Sequence, residues 1–363
     1  MKAEGESAPE SLDAWHQHKG AQWRDLAGCR VVASYGDIAS EVLTLREGCG
    51  LIERRWIEAM LLSGEDRQRF LNGYVTCDVV SLAAGEGAYG FFTNAQGRIL
   101  SDVVIFASPE TLRVELPAAR VEPLVEHLSR FIIVDRVELA PAPPQARWVL
   151  LGVGAGELVR RLAPSIAESF WSPIEADLAG QRIELWRDRP LGVEVYGIAA
   201  AVDGAAAVAE ALLDQGAVPV GFAAVETLRV EAGVPRYGAD FDEANFPQET
   251  GFEEAVSYAK GCYLGQEVVA RIHYRGGVKH HLRSLIVEGR EAPETGGPVL
   301  YEDRKVGRLG SASFSAPMGQ MVGLTIIHRK AAESGTMVVL DGGVAARVEE
   351  PAFVAAAIAR SVA

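Results

Sequence analysis

The stretch YGFFTNAQGRILSDVVIFA, residues 89–107, holds two apolar runs around a short polar turn, the pattern of a β-hairpin. Gly85, Gly87 and Gly90 punctuate the approach to it. Upstream, IEAMLLSG (57–64) reads as a strand, and EDRQRFLNGYV (65–75) as a short helix with Phe70 and Leu71 on its buried face. Downstream, ETLRVELP (110–117) is strand-like and ARVEPLVEHLSRF (119–131) has the apolar spacing of an amphipathic helix. FIIVDRVELA (131–140) is then expected as a further strand. This order of strand, helix, hairpin, helix and strand fits the split βαβ arrangement of ferredoxin-like units better than a doubly wound sheet.

Beyond the connector PAPPQA (141–146) a second, weakly similar passage begins with RWVLLGVGAGELVRRL (147–162). RIELWRD (182–188) and GVEVYG (192–197) follow as strands, then the Ala-rich helix AAAVAEALLDQG (205–216). EAVSYAKGC (254–262) is expected as a helix ending at glycine, and GQEVVARIHYRGG (265–277) as a helix stopped by Gly276 and Gly277. After Val278 the runs LRSLIVEG, GPVLYEDRKVGRLGSASFS, MVGLTIIHR and TMVVLDGGVAARVEE are separated by Gly, Pro or Asp turns, as in a small antiparallel β-barrel or sandwich. The fold class is therefore α+β.

The 363 residues carry 35 basic and 49 acidic side chains, for a formal charge of −14. Such a surface repels nucleic acid, so no nucleic-acid partner is expected. No apolar run reaches the roughly 18–20 residues of a membrane span, and the acid-bearing N-terminal segment resembles neither a secretory signal nor a transit peptide. A cytoplasmic protein with a loose tail over residues 1–30 is expected, and a monomer, since no heptad pattern is present. The four cysteines, Cys29, Cys49, Cys77 and Cys262, form no CxxC and no metal-type cluster, which suits free thiols in a reducing compartment and no metal site.

Several positions raise a choice between a plain structural role and chemistry. GVGAGE (152–157) is GxGxG rather than GxGxxG and reads as a glycine-rich turn opening a helix. Asp102 in an apolar strand either faces solvent or serves a site, because burying it unpaired would be costly. Glu194 beside Val193 and Val195 is either a half-exposed strand acid or an acceptor for two parallel N–H groups, such as those of an aminopyrimidine. Arg229, between Leu228 and Val230, either faces solvent or offers its fork to a ligand carboxylate. Between Lys260 and Arg283 five bases stand against the single acid Glu267, with His273, His280 and His281 interleaved: a solvated face or a patch for an anionic ligand. Within that patch, KGCYLGQE (260–267) sets Cys262 between Gly261 and Gly265 at an expected helix junction. Lys260 and the following helix N-terminus would both favour a thiolate there, and the glycines would let backbone approach a ligand.

KGCYLGQEVVARIHYRG (260–276) closely resembles the signature of the YgfZ-type folate-binding proteins, which act in iron–sulfur protein maintenance. RVEAGVPRYGADFDEANFPQETG, LNGYVTCDV, QGRILSD and GRLGSASFSAPMGQMVGLTIIHR are similar to that family too, and to the wider aminomethyltransferase (glycine cleavage T-protein) superfamily. The resemblance runs from Asp37 to the C-terminus and implies a three-domain cloverleaf around tetrahydrofolate. It implies a folate-binding core over 31–282 made of two interleaved ferredoxin-like subdomains, 59–145 being the inserted one, and an antiparallel β-barrel over 283–363. Glu194, Arg229, Tyr237, Gly265, Gln266, Glu267 and Arg271 are its implied folate-binding residues. Asp102 matches the superfamily's acid near the reactive nitrogens, although T-proteins commonly carry Asp-Asp where this chain has Ser101-Asp102. Cys262, tuned by Lys260, is the implied reactive thiol, and iron–sulfur client proteins are the implied partners. Aminomethyl transfer is the alternative activity and needs no thiol; a folate-binding scaffold is a third reading.

Overall fold

The computed structural model describes residues 11–351 and 354–357. The described chain divides into two compact units, one made of the residues up to 58 with 142–224, the other of 59–141 with those from 225 onward.

The first unit is built on a six-stranded sheet in the order Ile174–Leu178, Gln181–Asp188, Val195–Ala201, Gln145–Leu151, Gly50–Glu53, Val218–Pro219. Only the last pairing is parallel. Leu150, Leu185 and Ile198 of the sheet pack with Leu158 and Val159 of the helix Ala155–Leu162 and with Val208 and Leu212 of the helix Ala205–Asp214. The expected N-terminal tail differs from this. Residues 11–34 contain the helix Leu12–His18 and a hairpin made by Gln22–Leu26 and Cys29–Ser34, while residues 1–10 lie outside the described region. Trp15 is fully buried in the core and its indole N–H donates to Glu210 Oε1 at 2.6 Å. His16 bridges Tyr35 Oη at 2.6 Å and Glu53 Oε2 at 2.7 Å. A buried ring with its polar atoms satisfied fixes a segment that composition alone made look loose.

The second unit holds a five-stranded sheet, ordered Gly87–Thr93, Ile99–Ala107, Thr111–Pro117, Ile57–Ser63, Glu138–Pro141. The helices Arg67–Asn72 and Ala118–Ser129 supply Phe70, Leu71, Val121, Leu124 and Leu128 to its core, as the apolar spacing predicts. The run 131–137 does not continue the last strand. Arg136 N donates to Asp66 Oδ2 and its carbonyl accepts from Asp66 N, so the backbone is spent on a helix start, and Ile133 and Val134 remain exposed. Six strands, His280–Val287, Gln320–His328, Arg304–Ser315, Pro298–Tyr301, Met337–Val339 and Ala345–Glu349, close the C-terminal barrel.

Arg229 clamps this barrel to the preceding helix. Its expected exposure or ligand contact is corrected by the geometry: the side chain is buried and all five N–H donors meet protein acceptors. Nε and Nη2 hold the two Glu226 oxygens at 2.9 and 2.8 Å. The remaining bonds reach Asp240 Oδ2 and Val234 O, both at 2.7 Å, and Ser311 Oγ on the barrel at 2.6 Å. Arg236 adds two contacts to Glu226 at 3.1 and 3.2 Å. Burial would raise the Glu226 carboxyl, but the two guanidinium groups bring it from 4.5 down to about 2.

Replacing Arg229 with Met should cost roughly 3–5 kcal/mol in urea unfolding, because it leaves buried acids uncompensated. Since the Glu226 value is depressed on folding, its contribution is complete above its unfolded value of 4.5 and is lost as pH falls from there towards about 2. The wild-type unfolding midpoint should drop over that window by more than that of Glu226→Gln.

Candidate functional site

The KGCYLGQE segment is a strap sewn to residues 72–77 and 93 of its own unit. Ser257 N donates to Thr76 O at 2.9 Å, Thr76 Oγ1 to Ala255 O at 2.6 Å, Leu264 N to Gly73 O at 2.9 Å and Thr93 Oγ1 to Leu264 O at 2.6 Å. These bonds draw the chain out, so the helix expected over 254–262 is reduced to the single 3₁₀ turn Glu253–Ala255. The helix after the motif forms as Gln266–Arg275 and ends at Gly276. Gly265 sits at φ +86°, and a Cβ on it would lie 2.4 Å from Asn94 O and 2.8 Å from the Gly97 Cα. Its role is thus close approach to the 94–97 hairpin turn, where a ligand was expected.

Lys260 is also placed differently from expectation. Its buried ammonium donates to the carbonyls of Asn72 at 2.8 Å, Val75 at 2.7 Å and Cys77 at 2.6 Å. Three donors meet three acceptors, so the group anchors the strap and is not directed at Cys262 as an electrostatic tuner. Burial pushes the ammonium down to about 8, with Cys77 and Asp78 opposing that shift. The thiol that feels this charge is Cys77, which burial nevertheless pushes up to about 12. With Lys260 inside and Tyr263 buried beneath the strap, Cys262 is left exposed and unbridged. Cys49 and Cys77 are buried, and Cys29 is half-buried.

Asp102 lies on the strand Ile99–Ala107, whose burial alternates so that Ile99, Ser101, Val103 and Ile105 face one side. Asp102 is on the other, half-buried, directly across from Phe91 in the hairpin register. Tyr89 Oη donates to Asp102 Oδ2 at 3.1 Å. Tyr89, Phe91, Phe241 and Phe252 form an aromatic set with ring centroids 5.3 to 6.5 Å apart, edge-on except for the stacked pair Phe91 and Phe252. Tyr237 extends it, 5.7 Å from Phe241, and donates its hydroxyl to Leu100 O at 2.7 Å. An acid held by a tyrosine among aromatic rings can balance or accept charge on a flat heterocycle. Tyr89 escaped the sequence reading; its signal was its place two residues before Phe91 on the strand paired with that of Asp102.

In the first unit, Glu194 precedes the strand Val195–Ala201 and accepts a hydrogen bond from Tyr196 Oη at 3.0 Å. A Cβ on Gly156 would lie 2.0 Å from Glu194 Oε2. The last glycine of GVGAGE therefore leaves the space that the carboxylate occupies, beyond opening the helix. Gln266 is half-buried in the first turn of its helix, while Glu267 and Arg271 are exposed along it. Among the described residues, no helix is long and apolar enough to cross a membrane.

The family model described as the GCVT N-terminal domain matches residues 12–260. The aminomethyltransferase of Rubrobacter xylanophilus is 27% identical, covering 86% of this chain and 85% of its own length. That of Thermotoga neapolitana is 26% identical over 86% and 88%. A putative chloroplastic transferase of Arabidopsis thaliana is 24% identical over 90% and 76%. Among solved structures, the crystal structure of glycine cleavage system aminomethyltransferase T from Bartonella henselae aligns with a TM-score of 0.83 at 20% identity, covering 92% of this chain and 94% of that one.

Lys260→Met should destabilise the second unit by about 2–4 kcal/mol, since it strands three inward carbonyls. Urea unfolding measures this; a loss below the error of the method would show the carbonyl cage to be dispensable.

Proposed function

The chain belongs to the family of the GCVT N-terminal domain, and from that premise we propose that it binds tetrahydrofolate and uses Cys262 to support assembly or repair of iron–sulfur clusters in client enzymes. The observation that carries this reading is the exposure of Cys262 on a strap whose neighbouring residues, Lys260 and Tyr263, are turned inward. A thiol held outward by a buried anchor suits work on a second molecule.

Each unit, taken by itself, holds side chains suited to part of a reduced folate. The Gly156 gap seats the Glu194 carboxylate, which would accept two parallel N–H bonds from the aminopyrimidine edge. Asp102, oriented by Tyr89, would balance charge at the reactive nitrogens, with the aromatic set around it to exclude water. Arg229, already saturated, is not part of this set. When bound, the folate supplies one-carbon or reducing chemistry. Cys262 Sγ would act as a transient ligand, donating a lone pair to an iron of the client's damaged cluster. The free cysteines suit a reducing cytoplasm.

Aminomethyl transfer is the second reading, favoured by the names of the two bacterial relatives. It requires no thiol from this chain, so the two readings part at Cys262. In cells lacking the native factor, Cys262→Ala should fail to restore iron–sulfur enzyme activities while still binding folate. Full restoration would remove the thiol from the account, and methylene transfer unaffected by the substitution would favour the second reading. Glu194→Ala should weaken tetrahydrofolate binding by about tenfold to a hundredfold, the value of a charge-assisted pair. Gly156→Ala, which displaces the same carboxylate, should act in the same direction in calorimetric titration.

A further inference from the structure

The second unit contains a cavity of about 780 Å³ between the loop 240–249, the helix Gln266–Arg275 and the barrel strand Arg304–Ser315. None of Asp102, Glu194, Tyr237 or Cys262 lines it. Its size lies within the roughly 300–1,000 Å³ of small-molecule sites. The wall includes Phe246, Val268, Ile272, Val306 and Ile326, enough apolar surface to hold an organic body.

The charges around it are unevenly matched. Each lining acid is engaged by protein: Asp240 with Arg229 at 2.7 Å, Asp242 with Arg308 at 2.8 Å and Glu249 with His280 at 3.2 Å. Three lining bases, Arg98, Lys279 and Lys305, have no carboxylate partner among the described residues. Arg98 is held in place, donating to Ala244 O and lying 3.7 Å over the Phe246 ring. The positive field continues past Lys279. His328 is pushed below its ordinary 6.5 by desolvation and by His280, Lys330, Arg329 and Lys279. On a chain of net charge −14, three uncompensated cations around one concavity form a local well for an anion.

We propose that this cavity is a binding site for a small organic anion bearing at least two carboxylate or phosphate groups. Lys279 and Lys305 meet the charged groups at the exposed mouth, Arg98 meets them along the wall, and the apolar body rests on Phe246 and the aliphatic side chains. The site is independent of the folate reading. A concavity of this volume suits a small molecule, and the acidic surface elsewhere disfavours a long polyanion.

Citrate and inorganic pyrophosphate serve as the carboxylate and phosphate probes, titrated calorimetrically into the full chain at near-physiological salt. One of them is expected to bind with a stoichiometry of one, which identifies the anion class. Lys279→Glu combined with Lys305→Glu should weaken it at least about tenfold. Lys279→Ala with Lys305→Ala should give a smaller loss in the same direction. Both lysines are exposed, so the unfolding midpoint should stay at the wild-type value, and Glu194→Ala should leave probe binding unchanged. Binding of neither probe, or equal binding to the charge-reversed and wild-type chains, overturns the proposal.

Discussion

An ammonium group surrounded by three backbone carbonyls is the constraint on which the second unit turns. Lys260 enters from the strap and closes on Asn72, Val75 and Cys77, joining segments 183 to 188 residues apart in sequence. A lysine is rarely buried without a carboxylate partner, and the carbonyl dipoles are what make this position tolerable. Because the side chain goes inward, the next but one residue can go outward, and that residue is Cys262. The strap's backbone bonds to Gly73 and Thr76 hold the geometry in place on either side. What looked like a charge set beside a thiol is a fastening that presents it.

The same economy appears at Arg229 and Gly156. A guanidinium with five donors organises Glu226, Asp240, Val234 and Ser311, so the barrel is tied down by a charged group and by packing such as Leu324 against Val230. Removing one partner from such a buried node leaves an uncompensated charge. Gly156 acts by omission, leaving room for the Glu194 carboxylate. In both units the polar residues at the sites are shaped by what surrounds them at atomic distance.

Much of this was legible in the chain. The alternation in 99–107, the apolar spacing in 118–129 and the turn-separated runs after residue 280 are local signals, and the elements they predict are present. Long-range partners were not legible. Nothing near Arg229 announces Ser311, 82 residues on, so a charged residue between Leu228 and Val230 could be read only as exposed or as ligand-binding. Trp15 and His16 were hidden in an acid-rich segment because their partners Glu210, Glu53 and Tyr35 lie elsewhere. The apolar run 131–137 misled in the opposite sense, since its backbone is claimed by Asp66. Cys262 was found by its glycine-flanked setting, whereas the direction of Lys260 depended on carbonyls that no sequence pattern displays.

The strap delivers the Cys262 thiol to solvent while the core withholds those of Cys49 and Cys77. Native-state alkylation with iodoacetamide, followed by peptide mass spectrometry, tests it most directly. Cys262 should be modified at least about tenfold faster than Cys49 or Cys77, whose burial blocks the reagent. Labelling of Cys262 that begins only when the protein unfolds, together with the buried thiols, would contradict it.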